Sequence, residues 1–414
     1  MSVICPFRGL RPEPQWAAQV ASLPYDVLSS EEARELVRGN PNSFLRVNKP
    51  EVDFPGDISA YNQEVYQRGR ENLQRLIDDG IMCHDDQPCL YLYRLTMNGH
   101  SQTGLVALAS VAEYEEGRIK KHEQTRPEKV SDRADHIQHL RAQVGPVLSI
   151  FHNRPAIRAA FDTVTSERPI YDFVSEDSVR HQMWVVSSKT TIDRLVDNFA
   201  ELTEIYIADG HHRSAAAAEV TRRMRATNPD HSGREPYNFF LNVIFPHDEL
   251  QILPYNRVVA NLNDLTPAQL IERVGGNFTV EAVAEAVIPG VSGSFGLYCD
   301  GRWYKLLTRE GIVDNNDPTG SIDAAVLSRC LLTPILGIKD IRTDPNINFV
   351  GGIRGVKELV RLVDSGRYAA AFSLYPVSVE QLLKVADVGE VMPPKSTWFE
   401  PKLRSGMVVN LLDE

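Results

Sequence analysis

The spacing of apolar and polar positions changes repeatedly along the chain, and each change marks an expected element. The first 28 residues are proline-rich and read as extended segments and turns. Ser29 and Glu32 stand at capping-box spacing before a helix that Asn40-Pro41-Asn42 stops. Residues 44–48 read as a short strand. A longer helix is expected over 58–79, with Leu73, Leu76 and Ile77 on one side and Gly80 just past its end. Residues 89–97 and 101–112 alternate around Asn98-Gly99, which predicts a hairpin whose second arm is apolar enough to be central.

Strand character returns at 144–152, and helical spacing at 155–165 and 189–200. A strand at 204–208 then runs through Asp209-Gly210 into an alanine-rich helix at 211–226. Beyond it, 237–245 and 252–259 read as strands, and 262–366 mixes helix, strand and hairpin signals. Helices at 356–364 and 378–386 flank an apolar strand at 369–375. A proline-stiffened polar loop at 392–406 feeds a last strand at 407–412. Strands and helices do not alternate regularly, so the fold class is α+β with mixed sheets. The length of 414 residues suits two parts. The expected division is a core over 1–250 and a C-terminal α+β region over 251–414, whose tail at 393–406 returns to the site.

Composition narrows the function classes. A net charge of −11 argues against a nucleic-acid partner, which leaves a basic footprint. The five cysteines form no C-x-x-C pair, and Cys83, His84 and Cys89 are read as ordinary reduced side chains rather than a metal set. The start of the chain carries no export signal, and no apolar run is long enough for a membrane span. The expected setting is the cytoplasm.

The chemistry concentrates in three segments. In the strand–turn–helix unit, Gly210 permits a tight turn into a helix whose N-terminus offers unpaired N–H groups and partial positive charge. His211, His212 and Arg213 fill its first turn, where cationic groups are unfavourable by about a few tenths of a kcal/mol each. An anionic ligand accounts for them, and Arg213 can grip two phosphate oxygens. Asp209 is a candidate Mg²⁺ ligand or a partner for a histidine. A plain capping role for Asp209 also fits.

The second segment, 120–133, places Glu123, Arg126, Lys129 and Arg133 in one charged loop. Glu123 suits a general base or a magnesium ligand, and the three cations suit phosphates. A solvated charged loop is the plain alternative. The third segment holds Lys395, Ser396, Thr397 and Lys402 between Pro393-Pro394 and Gly406, a rigid frame for a carboxylate or phosphate. Tyr25-Asp26, Asn42-Ser43 and Asn256-Arg257 are polar pairs that, taken singly, read as structural. The phosphate-loop, protein-kinase, Gly-x-Ser-x-Gly, His-Glu-x-x-His and dinucleotide-binding motifs are all missing.

Asp209-Gly210-His211-His212-Arg213 resembles the phosphate-binding box of the ParB/sulfiredoxin-like superfamily. The whole chain resembles a prokaryotic domain-of-unknown-function family, some members of which are called free-serine-kinase-like. The likeness runs from Pro6-Phe7-Arg8 through Pro24-Tyr25-Asp26-Val27, His122-Glu123-Gln124-Thr125, the box and Asn256-Arg257 to Pro394-Lys395-Ser396-Thr397 and Pro401-Lys402.

The resemblance implies a ParB/sulfiredoxin-like core with a C-terminal elaboration, and a box that binds nucleotide phosphates. It implies a small-molecule kinase using ATP or ADP with Mg²⁺, and free L-serine as acceptor. In that reading Gly210, His211, His212, Arg213, Arg126, Lys129 and Arg133 hold the donor. Asp209 and Glu123 hold the metal. Glu123, Asp209 and His212 are catalytic, with Asp26 the second choice of base. Lys395, Ser396, Thr397 and Lys402 hold the acceptor. The alternatives are a non-catalytic nucleotide- or metabolite-binding regulator, and a phosphohydrolase with a histidine nucleophile in the box.

Overall fold

Residues 4–56, 58–60 and 62–413 are described by a computed structural model. The first three residues of the N-terminal segment, Asp57, Tyr61 of the expected 58–79 helix and Glu414 lie outside it. The chain divides into two compact units, one running through residue 250 and taking back the residues from 401 onward, the other spanning 251–400.

In the first unit the hairpin forms where the alternation places it. Leu90–Met97 pairs antiparallel with His100–Ser110, and Asn98 and Gly99 both take positive φ (52° and 81°), as a two-residue turn requires. These strands lie inside a nine-stranded sheet of mixed direction. On one side, Leu90–Met97 continues to Arg180–Val186 and Tyr171–Val174. On the other, His100–Ser110 is followed by Phe239–Pro246, Val147–Phe151, Ile205–Asp209 and Ile119–Lys120. Ile4–Cys5 also pairs with His100–Ser110. Two of these pairings are parallel: Phe239–Pro246 with Val147–Phe151, and Ile205–Asp209 with Ile119–Lys120.

The sheet is closed by helices with apolar faces. Pro155–Thr165 and Lys189–Ala200 set Ile157, Phe161, Leu195 and Phe199 against Leu92, Leu105, Phe151 and Ile244. Each large side chain buried in this way stabilises the fold by roughly 1.5–3 kcal/mol. The helix His211–Thr227 is alanine-rich, so it lies close to its neighbours. Ala217 packs on Ile207 and Phe240, while Ala216 and Val220 meet Ala134 and Ile137. The returning C-terminal segment is stitched in by backbone bonds: Ser405 exchanges them with Ser22, and Val409 with Leu10.

The second unit is built on a six-stranded antiparallel sheet. Its order is Phe278–Val283, Arg302–Thr308, Ser294–Cys299, Ala370–Leu374, Tyr255–Val259, Ile347–Gly351. Leu359 and Leu362 of the helix Gly355–Asp364 pack on Val258, Tyr298 and Val350. No helix among the described residues is long and apolar enough to cross a membrane.

Three local expectations change. Residues 44–48 are helical rather than extended: Leu45–Asn48 forms a turn of helix whose Leu45 and Val47 are buried. The charged segment at 120–133 is only partly a loop, because Pro127–Leu140 is a helix with proline in its first turn. Its abundant charge hid a buried face made by Ala134, Ile137 and Leu140. The last strand contracts to Asn410–Leu411, which joins Ala142–Gln143.

Candidate functional site

The neighbouring parallel strands Ile119–Lys120 and Ile205–Asp209 end at the same edge of the sheet. That places His122 and the box side by side. The strand Ile205–Asp209, flanked by Ile119–Lys120 and Val147–Phe151, is irregular between Ile207 and Asp209, which re-aims the residues that follow. Gly210 then turns the chain with φ of 93°, a left-handed value that suits glycine. A Cβ there would meet Arg213 Cζ and Nε at 3.0 Å, so the missing side chain also makes room for the guanidinium. Gly145 gives clearance on a second side, where an added Cβ would stand 3.3 Å from Arg213 Cδ.

Arg213 is buried, at 9% exposure. Its Nη1 donates to the Pro146 carbonyl, and Nη2 lies 3.7 Å from Asp26 and 3.8 Å from Asp209. Burial works against its charge, but Asp26 and Asp209 outweigh that and hold its pKa above the ordinary value. Asp209 is not the helix cap. Gly210 occupies the N-cap position, and its N–H donates to Asp209 Oδ1 at 2.8 Å. Lys402 donates to Asp209 Oδ2 at 3.3 Å from the C-terminal segment of the same unit. Burial pushes the Asp209 carboxyl up, but Lys402 and Arg213 hold it well below the usual carboxylate range.

The histidines behave differently from what their basic character suggests. His211 and His122 pack edge to face with ring centres 4.4 Å apart and Nε2 atoms 3.4 Å apart. Burial lowers His122 to about 4, and burial with the neighbouring His122 lowers His211 well below its ordinary value. Both are neutral at pH 7, so of the three cationic or cationisable groups expected in the first turn His211 carries no charge, Arg213 is a permanent cation, and Lys402 adds a second positive group beside Asp209. His212 ties the box to the charged segment by accepting the Arg126 backbone N–H at Nε2 (3.1 Å).

The other candidates fall into two groups. Arg133 stacks on the Tyr25 ring at 4.3 Å and donates from Nε to Asp132 at 2.7 Å, while Tyr66 donates to the same carboxylate at 2.6 Å. Glu123 follows the buried His122 and is half-buried. Arg126 and Lys129 are exposed, at the cap and in the first turn of Pro127–Leu140. Lys395, Ser396 and Thr397 belong to the second unit. There the Lys395 carbonyl accepts from Arg257 and Ser396 Oγ donates to the Pro393 carbonyl, while Thr397 is half-buried. Lys402 alone of that tail group belongs to the box's own unit.

Tyr25 and Asp26, read singly as structural, join the site, with Asp26 at 39% side-chain exposure. Their signal was a rigid polar pair behind Pro24, outside any periodic segment. Tyr25, Arg133, His136, Gln143, Gly145 and Arg213 help line a cavity of about 30 Å³. That is room for about two waters, too little for a chain of phosphates; Asp26 and Asp209, on either side of Arg213, are partly exposed. Among the described residues no group of three or more His, Cys, Asp or Glu is placed to hold a metal ion. The two Asp209 oxygens each accept one hydrogen bond, from the Gly210 N–H and from Lys402.

No curated protein matches this sequence. Solved structures give distant likenesses. A free serine kinase in complex with AMP is 13% identical, covers 71% of this chain and 86% of its own, with a TM-score of 0.36. A conserved hypothetical protein from Pyrococcus furiosus is 13% identical, with 74% and 95% coverage and a TM-score of 0.36. SbnI with a C-terminal truncation, from Staphylococcus aureus, is 12% identical, with 71% and 82% coverage and a TM-score of 0.38. Residues 4–325 match the family described as protein of unknown function (DUF1015). With that match spanning most of its length, the chain belongs to the DUF1015 family.

Proposed function

We propose that the first unit is a nucleotide-dependent phosphotransferase acting on the hydroxyl of a small molecule, with free L-serine as acceptor and ATP or ADP as donor. The observation that carries this reading is the setting of Arg213. One buried guanidinium sits at a helix N-terminus, between two aspartates from distant parts of the chain, with Lys402 beside one of them. Phosphoryl transfer needs charge neutralisation and positioning above all. The motif series from Pro24 to Lys402 supports the same reading by its resemblance to free-serine-kinase-like proteins.

In this scheme Arg213, Lys402 and the first-turn N–H groups hold the donor phosphates at the start of the helix. Arg126, Lys129 and Arg133 add positive charge around them, and His212 holds the 126 backbone against the box. The serine oxygen bonds to the transferred phosphorus, the bond from phosphorus to the nucleotide oxygen breaks, and the hydroxyl proton passes to a carboxylate. We assign that carboxylate to Asp26, ahead of Glu123, because Asp26 faces Arg213 and is partly exposed. Magnesium enters with the nucleotide as part of the substrate.

The test is incubation of the pure protein with Mg²⁺, L-serine and ATP, ADP or pyrophosphate, with phosphoserine followed by ³¹P NMR. Phosphoserine is the expected product. Asp26→Asn should lower kcat about 100-fold or more while nucleotide Kd stays within about threefold. No turnover with any donor overturns the assignment. The charge balance around Arg213 favours one second reading, a nucleotide-binding regulator. Nucleotide binding in wild type without chemistry, unchanged in Asp26→Asn and Glu123→Gln, would establish it.

A further inference from the structure

Arg257 lies on Tyr255–Val259 in the second unit, beside Phe349 and Phe372 on the adjoining strands, and is 1% exposed. A buried guanidinium ordinarily faces a carboxylate. Here its hydrogen-bond acceptors are carbonyls: Nη1 donates to Tyr255 and Nη2 to Lys395, at 3.0 Å for the latter. Among the described residues no carboxylate pairs with it, and its Nε has no hydrogen-bond partner. The Phe349 ring, 5.4 Å from Cζ, offers only a weak substitute for an anion. Burial lowers its pKa to about 10, which leaves it charged at neutral pH.

The covering segment has the character of a small lid. Pro393 and Pro394 stiffen it, and Lys395 takes φ of 60°, a left-handed value that a lysine rarely adopts. That backbone turn aims the Lys395 carbonyl at Arg257. The Lys395 side chain is exposed, with its ammonium 5.8 Å from the Tyr255 ring centre. Arg257 and the Lys395 ammonium thus both lie against Tyr255, one at its carbonyl and one at its ring.

We propose that Arg257 and Lys395 form an oxyanion site in the second unit, taking a phosphate or carboxylate group beneath the 393–397 segment. Phosphate and carboxylate share the planar or near-planar pair of oxygens that a guanidinium grips. The site is independent of the phosphotransfer reading, because it requires nothing of the box.

The experiment uses the full chain in thermal-shift and calorimetric titrations with sodium phosphate and, separately, sodium acetate, each against sodium chloride at matched ionic strength. Wild type should be stabilised beyond the chloride control. Arg257→Met should lose the anion response, with affinity down about tenfold or more. Lys395→Ala, a change at an exposed side chain, should weaken it about threefold. A response to phosphate alone identifies a phosphate ligand, and a response to both identifies a carboxylate-tolerant site. No stabilisation beyond chloride, or an equal response in Arg257→Met, overturns the proposal. If Arg257→Met does not fold, an unchanged Kd in Lys395→Ala overturns it.

Discussion

Lys402 Nζ stands 3.3 Å from Asp209 Oδ2, across 193 residues of chain. The segment that carries Lys402 also pairs with Ser22, three residues before Tyr25-Asp26. One stretch of backbone therefore holds both a cation on the box and the turn that brings Asp26 to Arg213. Lys402→Met should remove this pair and lower stability at pH 7 by about 1 kcal/mol, a figure reduced for the partial exposure of Asp209. The Asp209 pKa is depressed in the folded chain, so its contribution is full above the ordinary carboxylate value and fades as pH falls below about 4. Urea denaturation at pH 7 and pH 3 checks this, with a gap between variant and wild type that shrinks at the lower pH.

His122 titrates near 4 in the folded chain, against an ordinary 6.5, because burial disfavours its charged form. The unfolded chain takes up that proton first as pH falls. The associated stability is therefore complete above about pH 6.5 and is lost progressively down to about pH 4, at most about 3 kcal/mol. In His122→Gln the stability curve should be flatter across that window. Parallel curves for the two proteins would show that His122 is not held neutral.

Gly210→Ala should be costly for two reasons that share one atom. The φ of 93° disfavours any side chain, and the added Cβ would press on the Arg213 guanidinium. A loss of about 1–2 kcal/mol is expected from the backbone alone. Nucleotide affinity, measured by calorimetry, should fall as well. A variant with reduced Tm but wild-type affinity would separate Arg213 from the anion.

Arg404 anchors the same C-terminal segment. Its Nη2 donates to Ser175 Oγ at 3.0 Å and to Asp177, and its Nε to His181 at 3.3 Å, all within the first unit. At 5% side-chain exposure it leaves a partly buried carboxylate behind when removed. Arg404→Met should cost about 1–2 kcal/mol, since Asp177 stays partly solvated, and weaken nucleotide binding through Lys402, two residues away. Arg404→Met combined with Lys402→Met should bind nucleotide no more weakly than Lys402→Met alone.

Much of the architecture is legible in the sequence. The hairpin at Asn98-Gly99, the helices at 155–165 and 189–200 and the strand–turn–helix at the box all follow from local periodicity and turn chemistry. Local signals suffice there because each element's buried face repeats at its own period. Periodicity failed at 127–140, where charge outnumbers the small apolar face, and at 45–48, which is too short to show a period.

The sequence by itself determined that a strand, a glycine turn and a helix follow one another at 205–227 with an arginine in the first helical turn, because these signals are neighbours along the chain. Which groups keep their charge was decided only by the tertiary structure. His211 looks basic in the sequence and is neutral in the fold, since burial against His122 removes the water that would support a proton. Lys402 and Asp26, far away in the chain, become the partners of Asp209 and Arg213 because charged groups act through distance in space.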